Sequence, residues 1–307
     1  MITSIFSKSK PINFIVVFFI SLFAYVIANF KLSNEVYNFN DILEKIVIFG
    51  VCYFSILTLN FIVGKNSLTQ KNNYEILLYS LFLLMLPKSL LSDKIIVSNF
   101  FILLALRRTL SLRSQINLKK KLFDASFWVA IASLFYFWAI LFFILIYAVL
   151  LLFTDNKIKN WIVPFTGLLT VLLIVVSYSI IVNGDFFGAI KIASDISIDY
   201  SNFNSSKDII AITILLSFGV WSSIFYLASI RKRMKKFRPI FKSIFISLAI
   251  AFVIMIIAPD KNGSEFLFLF PTLAIVVANY IETIKEKWFR EIFLLILIIS
   301  PIVLLIL

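Results

Sequence analysis

Residues 129–153 are apolar on every face of any regular structure drawn through them, and the same holds for residues 12–27. A strand in a membrane barrel alternates apolar and polar residues over roughly ten positions, and neither stretch does so. Uninterrupted apolar runs of this length fit helices in lipid, where each backbone N–H and C=O is bonded within its own segment. Composition agrees: 61% of the 307 residues are hydrophobic and 15% are charged, against roughly 25% charged in soluble domains. With 35 phenylalanines there is too little polar surface to cover a globule in water. The chain reads as all-α, a polytopic transmembrane helical bundle, with residues 1–307 forming a single integral membrane domain and no soluble domain.

Several chemistries lack their residues. There is no histidine, which removes the commonest proton shuttle and metal ligand and argues against haem and most non-haem iron sites. The single cysteine, Cys52, lies within an apolar run, so no disulfide framework or thiolate pair is available. No Gly-rich phosphate loop or nucleophile elbow occurs. The net charge of +13 sits in short connectors between apolar runs, which marks topology rather than a nucleic-acid partner.

Lys8 and Lys10 precede a start-transfer run over residues 12–30. The Val26-Ile27-Ala28 triplet resembles a small-residue cleavage pattern, so cleavage of this span stays open. Further spans are expected near residues 44–64, 74–91, 95–112, 161–183, 208–230, 240–258, 266–281 and 292–307. The charge-free part of the fourth, residues 95–106, rises only about 18 Å, so Arg107 and Arg108 must snorkel for it to cross.

Residues 122–153 pose the topological question. One helix of this length would measure about 48 Å, too long for a hydrocarbon core of ~30 Å, whereas two helices are slightly short. Doubling back places 22 of the 29 Lys and Arg on the cytoplasmic side, among them Arg107, Arg108, Arg113, Lys119 to Lys121 and Arg231 to Arg233. A single crossing places 13 there. The positive-inside rule therefore selects a short-helix hairpin, with a turn expected near residues 135–138, about eleven passes, a cytoplasmic N-terminus and a periplasmic C-terminus. Small residues at Ala125, Ser126, Ala130, Ala132 and Ser133 allow its helices to approach neighbours closely.

No ionisable residue is expected in mid-span, which argues against coupled transport through an intramembrane carboxylate. Outside the membrane, Asp41 and Glu44 in the first outer loop and Asp93 at the hairpin of the third and fourth spans are the candidate catalytic residues. Carboxylates meeting there would serve as general base and as ligands to Mg²⁺ or Mn²⁺ on a lipid phosphate; the alternative is that they are solvated loop charges. On the inner side Arg107, Arg108 and Arg113 are candidates for binding lipid head groups, although topology alone also accounts for them. The outer loop 184–207 mixes Phe186, Phe187 and Ile196 with polar residues, as an interfacial helix or a plain connector would.

The outer acids followed by the block from Asp124 to Trp138 resemble the architecture of polytopic glycosyltransferases that use polyprenyl-phosphate-linked sugars. That resemblance implies an outer-leaflet site. Asn34-Glu35 stands where those enzymes carry a paired acidic motif, and no large external acceptor-binding domain is present. Over the whole chain, residues 7–14 (Ser-Lys-Ser-Lys-Pro-Ile-Asn-Phe), 103–108 (Leu-Leu-Ala-Leu-Arg-Arg), 111–115 (Ser-Leu-Arg-Ser-Gln) and 121–126 (Lys-Leu-Phe-Asp-Ala-Ser) resemble an uncharacterised family of Bacteroidota membrane proteins. That likeness implies the inner membrane of a Gram-negative cell and names no activity. The sequence leaves three functions open: an enzyme of lipid-linked saccharides, a non-catalytic subunit that assembles with membrane protein partners, and an uncoupled lipid or small-molecule transporter.

Overall fold

The computed structural model describes residues 5–32, 38–153, 158–186 and 195–307. The described residues are helical, with no strand among them. In chain order the helices are α1 (Pro11–Val26), α2 (Phe39–Asn66), α3 (Tyr74–Met85), α4 (Asp93–Leu110), α5 (Leu118–Phe135), α6 (Phe142–Phe153), α7 (Ile158–Asn183), α8 (Ser206–Lys232), α9 (Arg238–Ile257), α10 (Phe270–Thr283) and α11 (Lys287–Ile306). Seven of these, α1, α2, α4, α7, α8, α9 and α11, are long and apolar enough to cross a membrane.

Local sequence sets the ends. Pro11 opens α1 at a position where its missing N–H costs nothing, and the helix runs on into a π-helical segment, Ile27–Leu32. Asp41 closes a capping box at the start of α2, accepting the Asn38 backbone N–H at 2.8 Å. The helix ends where Ser67 turns left-handed at φ 51°. Pro87 excludes its predecessor from the helical region, so α3 stops and Leu86 lies outside it at φ −128°, ψ 75°. A short 3-10 turn, Pro87–Leu90, completes the expected third span.

The short helices α3 and α10 form the centre. Every residue of Tyr74–Met85 is buried, as is every residue of α10 from Phe270 to Ile281. α1, α2 and α11 pack around α3, while α8 and α9 flank α10.

A second layer forms on α4. α5 runs antiparallel to it, with Ser98 Oγ donating to the Ala132 carbonyl at 2.9 Å, Phe101 stacked on Trp128 and Arg108 paired with Asp124 at 3.1 Å. α7 then packs on α5 at Gly167. A Cβ on that glycine would crowd Ser126 Oγ and reach 2.9 Å from the Phe123 carbonyl. The small-residue approach expected around Ser126 is what brings these backbones together.

Between α5 and α6 the helix breaks at Tyr136, extended at φ −146°, ψ 108°, and a 3-10 turn spans Phe137–Leu141. The break falls where the turn was expected, with no Gly or Pro to mark it. The chain doubles back: Gln115, just before α5, donates its side-chain amide to the carbonyl of Phe153 at the far end of α6.

The connectors sort into two ends. At the basic end, rich in Lys and Arg, Asn73 N–H donates to the Phe6 carbonyl at 3.0 Å, Glu282 accepts from Gln70 N–H at 2.7 Å, and Arg113 lies 4.1 Å over the Phe237 ring. At the acidic end, which holds Asp93, Asp208, Asp260 and Glu265, Trp138 Nε1 donates to the Asp195 carbonyl at 3.3 Å and Asn202 to the Asp260 carbonyl at 3.1 Å. Residues 187–194, within the loop 184–207 that was expected outside, lie outside the described residues; the described remainder forms a 3-10 turn, Ser201–Phe203.

Candidate functional site

The expected outer carboxylates are placed apart in role. Asp41 is committed to the capping box of α2, Glu44 is exposed on the same helix, and Asp93 is paired with Lys45 at 2.7 Å. Lys45 thus joins the two regions where the carboxylates were expected to meet, and it neutralises Asp93. Among the described residues no group of three or more His, Cys, Asp or Glu side chains is placed to hold a metal ion. Asp41 and Asp93 are thus partnered within the chain, and a role for the three acids toward Mg²⁺ or Mn²⁺ stays a proposal. Glu35 lies outside the described residues.

A denser polar cluster lies at the same end, where the turn Pro87–Leu90 packs on the 3-10 turn Ser264–Phe268. Lys88 Nζ meets Asp208 Oδ2 at 2.6 Å, and Ser205 Oγ donates to the same oxygen at 2.5 Å. Asp208 is in the first turn of α8, where the helix dipole favours an anion. Ser264 Oγ donates to the Lys88 carbonyl at 3.2 Å. Gly263 is left-handed at φ 97°, and a Cβ there would come within 3.0 Å of Lys88 Cβ, so glycine is required on two counts.

That turn buries two opposite charges. Lys261 is 1% exposed and donates to the carbonyls of Met255 and Ile256, closing the C-terminus of α9; its ammonium lies 4.3 Å over the Tyr200 ring. Glu265 is 2% exposed. Its Oε2 accepts the Gly263 N–H at 3.0 Å, and its Oε1 has no hydrogen-bond partner among the described residues. Burial pushes this carboxyl above its ordinary range, against the pull of the backbone N–H bonds and of Lys261.

Two cavities flank the cluster. The first, about 260 Å³, is bounded by Glu265, Tyr200, Phe203 and Thr213. It adjoins an apolar groove of about 390 Å³ between α8 and α9, floored by Leu269, just before α10, and Leu273 of α10, and Leu216 is in both walls. Glu265 therefore lines the smaller cavity, and Leu216 separates it from the apolar groove. The second cavity, about 300 Å³, lies on the other side of the first turn of α8 and contains Lys88, Lys207 and Asp208.

At the basic end, the three arginines expected to seat head groups make contacts within the chain. Arg107 lies 4.6 Å over Phe61, Arg108 pairs with Asp124, and Arg113 covers Phe237. Glu75, which does not stand out in the sequence, is 1% exposed in the first turn of α3, and neither carboxylate oxygen has a partner among the described residues.

Fold and composition define a polytopic helical membrane protein with its buried polar cluster at one end. Residues 1–306 match the family model of DUF6427, a family of unknown function, and the chain belongs to that family. No curated protein and no solved structure matches it.

Proposed function

We propose that this protein crosses the inner membrane eleven times, N-terminus cytoplasmic and C-terminus periplasmic, and acts on a lipid-linked saccharide at the outer leaflet. The sorting of connectors into a basic and an acidic end supports that topology, because the positive-inside rule puts the basic end in the cytoplasm. The observation that carries the function is Glu265: a buried carboxylate with one unpartnered oxygen, lining a cavity that shares its Leu216 wall with the apolar groove between α8 and α9.

In this reading the lipid chain lies between α8 and α9 and its head group reaches Glu265. The carboxylate takes the proton of an acceptor hydroxyl as that oxygen bonds to the sugar carbon, and the lipid phosphate leaves with the electron pair of the broken bond. A base with a raised pKa is suited to that transfer. Asp41, Glu44 and Asp93 stand in this proposal as rim carboxylates around the site, and Arg107, Arg108 and Arg113 face inner-leaflet phosphates.

The test is glycan profiling of cells carrying Glu265→Gln, Gly219→Trp, Asp41→Asn or Asp93→Asn at matched protein levels. Gly219 lines the groove, and a Cβ added there would lie 3.0 Å from Leu273 Cδ1, so a tryptophan at this position fills the space. Loss of a glycan in the first two supports the reading. Loss only in the Asp variants moves the chemistry to the first outer loop. Wild-type glycans in all four end the enzyme reading and favour a non-catalytic subunit.

A further inference from the structure

Four enclosed polar atoms around the turn Ser264–Phe268 have no hydrogen-bond partner among the described residues. One is Glu265 Oε1, on the turn itself. The second is Ser89 Oγ, on a residue 0% exposed. Ser89 belongs to Pro87–Leu90, which packs on that turn, and the Lys88 carbonyl beside it accepts from Ser264 Oγ at 3.2 Å. The third is the hydroxyl of Tyr136, whose ring stacks on Phe268 with centroids 5.5 Å apart. The fourth is Asp93 Oδ1, in the first turn of α4, a helix that also packs on Ser264–Phe268; Lys45 holds the other oxygen. Buried polar atoms are bonded almost without exception, because leaving one open costs roughly 1–3 kcal/mol.

The chemistry of the four selects what completes them. Two carboxylate oxygens repel an anion. Two hydroxyls offer protons, for which a cation has no acceptor; burial, with Glu265 and Asp260 nearby, keeps the Tyr136 phenol in its protonated, donating form. A neutral group whose hydroxyls both donate and accept answers all four. We propose that Ser89, Tyr136 and Asp93 hold the hydroxyls of an uncharged sugar ring beside Glu265. This deepens the lipid-linked-saccharide reading and rests on its placing of the acidic end at the outer leaflet. It restricts the head group to a sugar with neither a carboxylate nor a free amine. The cavity of about 260 Å³ that Glu265 and Phe266 line gives the ring its way in, and Gly263, left-handed at φ 97°, is the pivot on which the turn swings to admit it.

The experiment uses the full chain in phosphatidylcholine nanodiscs, doped with hexadecyl glucoside, hexadecyl glucuronide or hexadecanol, and counts retained amphiphile by native mass spectrometry. The glucoside is expected to be retained in preference to the other two, and about tenfold less in Tyr136→Phe and in Ser89→Ala, each of which loses one hydrogen bond to the sugar. Those hydroxyl groups leave no bond unmade within the chain when removed, so both variants are expected to melt no lower than the wild type. Equal retention of glucoside and hexadecanol, a preference for the glucuronide, or wild-type glucoside retention in both variants overturns the inference and assigns the four atoms to internal water. Glycan profiling keeps the two readings distinct. Normal glycans in Glu265→Gln, with glucoside retention that depends on Tyr136, leave a sugar-binding protein without transfer; lost glycans with retention indifferent to Tyr136 and Ser89 keep the transfer and overturn the sugar site.

Discussion

The side-chain amide of Gln115 donates to the backbone carbonyl of Phe153, 38 residues later. A chain that passed straight on from α5 into α6 would leave these two positions at opposite ends of a rod about 57 Å long. Instead the break at Tyr136 turns the chain, and α7 starts beside the end where α5 started. Gly167 of α7 then meets Ser126 of α5 at the same depth. The placement of every later connector follows from this one reversal.

Close approach at Gly167 makes a stability prediction. Gly167→Leu forces α7 away from the Phe123 carbonyl and is expected to cost about 1–3 kcal/mol, the usual range for overpacking. Thermal unfolding in nanodiscs should show a lower midpoint. Gly50→Leu, where nothing lies within 4 Å of an added Cβ, should melt like the wild type.

Glu265 makes a pH prediction with a definite sign. Burial raises its folded pKa above the ordinary 4.5, so between 4.5 and the raised value the folded chain holds a proton that the unfolded chain has released. Folding stability is then greatest below that window and falls as pH rises through it. Asp260 reinforces the shift and Lys261 opposes it. Melting midpoints of the wild type should fall across this window, and Glu265→Gln should flatten the fall; an unchanged slope would show that another group dominates.

The helices were legible because their apolar runs are long and uniform, and the hairpin because cation placement distinguishes one crossing from two. The centre was less so. α3 and α10 look like the other spans in sequence, and only packing shows that every side chain of Tyr74–Met85 is enclosed. The site was harder still. Asp41, Glu44 and Asp93 attract notice by clustering in outer segments, but Lys45 answers Asp93 and the cap of α2 uses Asp41. Glu265 passes in sequence for one more loop acid. Its signal was Gly263 two residues before it and an apolar run directly after, a turn that folds the carboxylate inward. Glu75 was hidden similarly, since an acid at the first turn of a span reads as a solvated end. Cavities beside α8 are spaces left between helices, and no single segment encodes them.

Lys88 and Asp208 join two elements 120 residues apart. Removing either partner leaves the other charge uncompensated in a mostly buried place, at a cost of about 3 kcal/mol or more. Lys88→Met and Asp208→Asn should each lower the melting midpoint strongly, and the double variant should recover part of the loss. A double variant as destabilised as the sum of the two would mean that the pair does not couple.

The orientation of the whole second half is open to one direct measurement: alkaline phosphatase and a fluorescent protein fused in turn just after Arg238, at the N-terminus of α9. With residues 122–153 doubling back, this position is cytoplasmic, so the fluorescent fusion is bright and the phosphatase fusion inactive. An active phosphatase with a dark fluorescent fusion would put Arg238 in the periplasm and contradict the account.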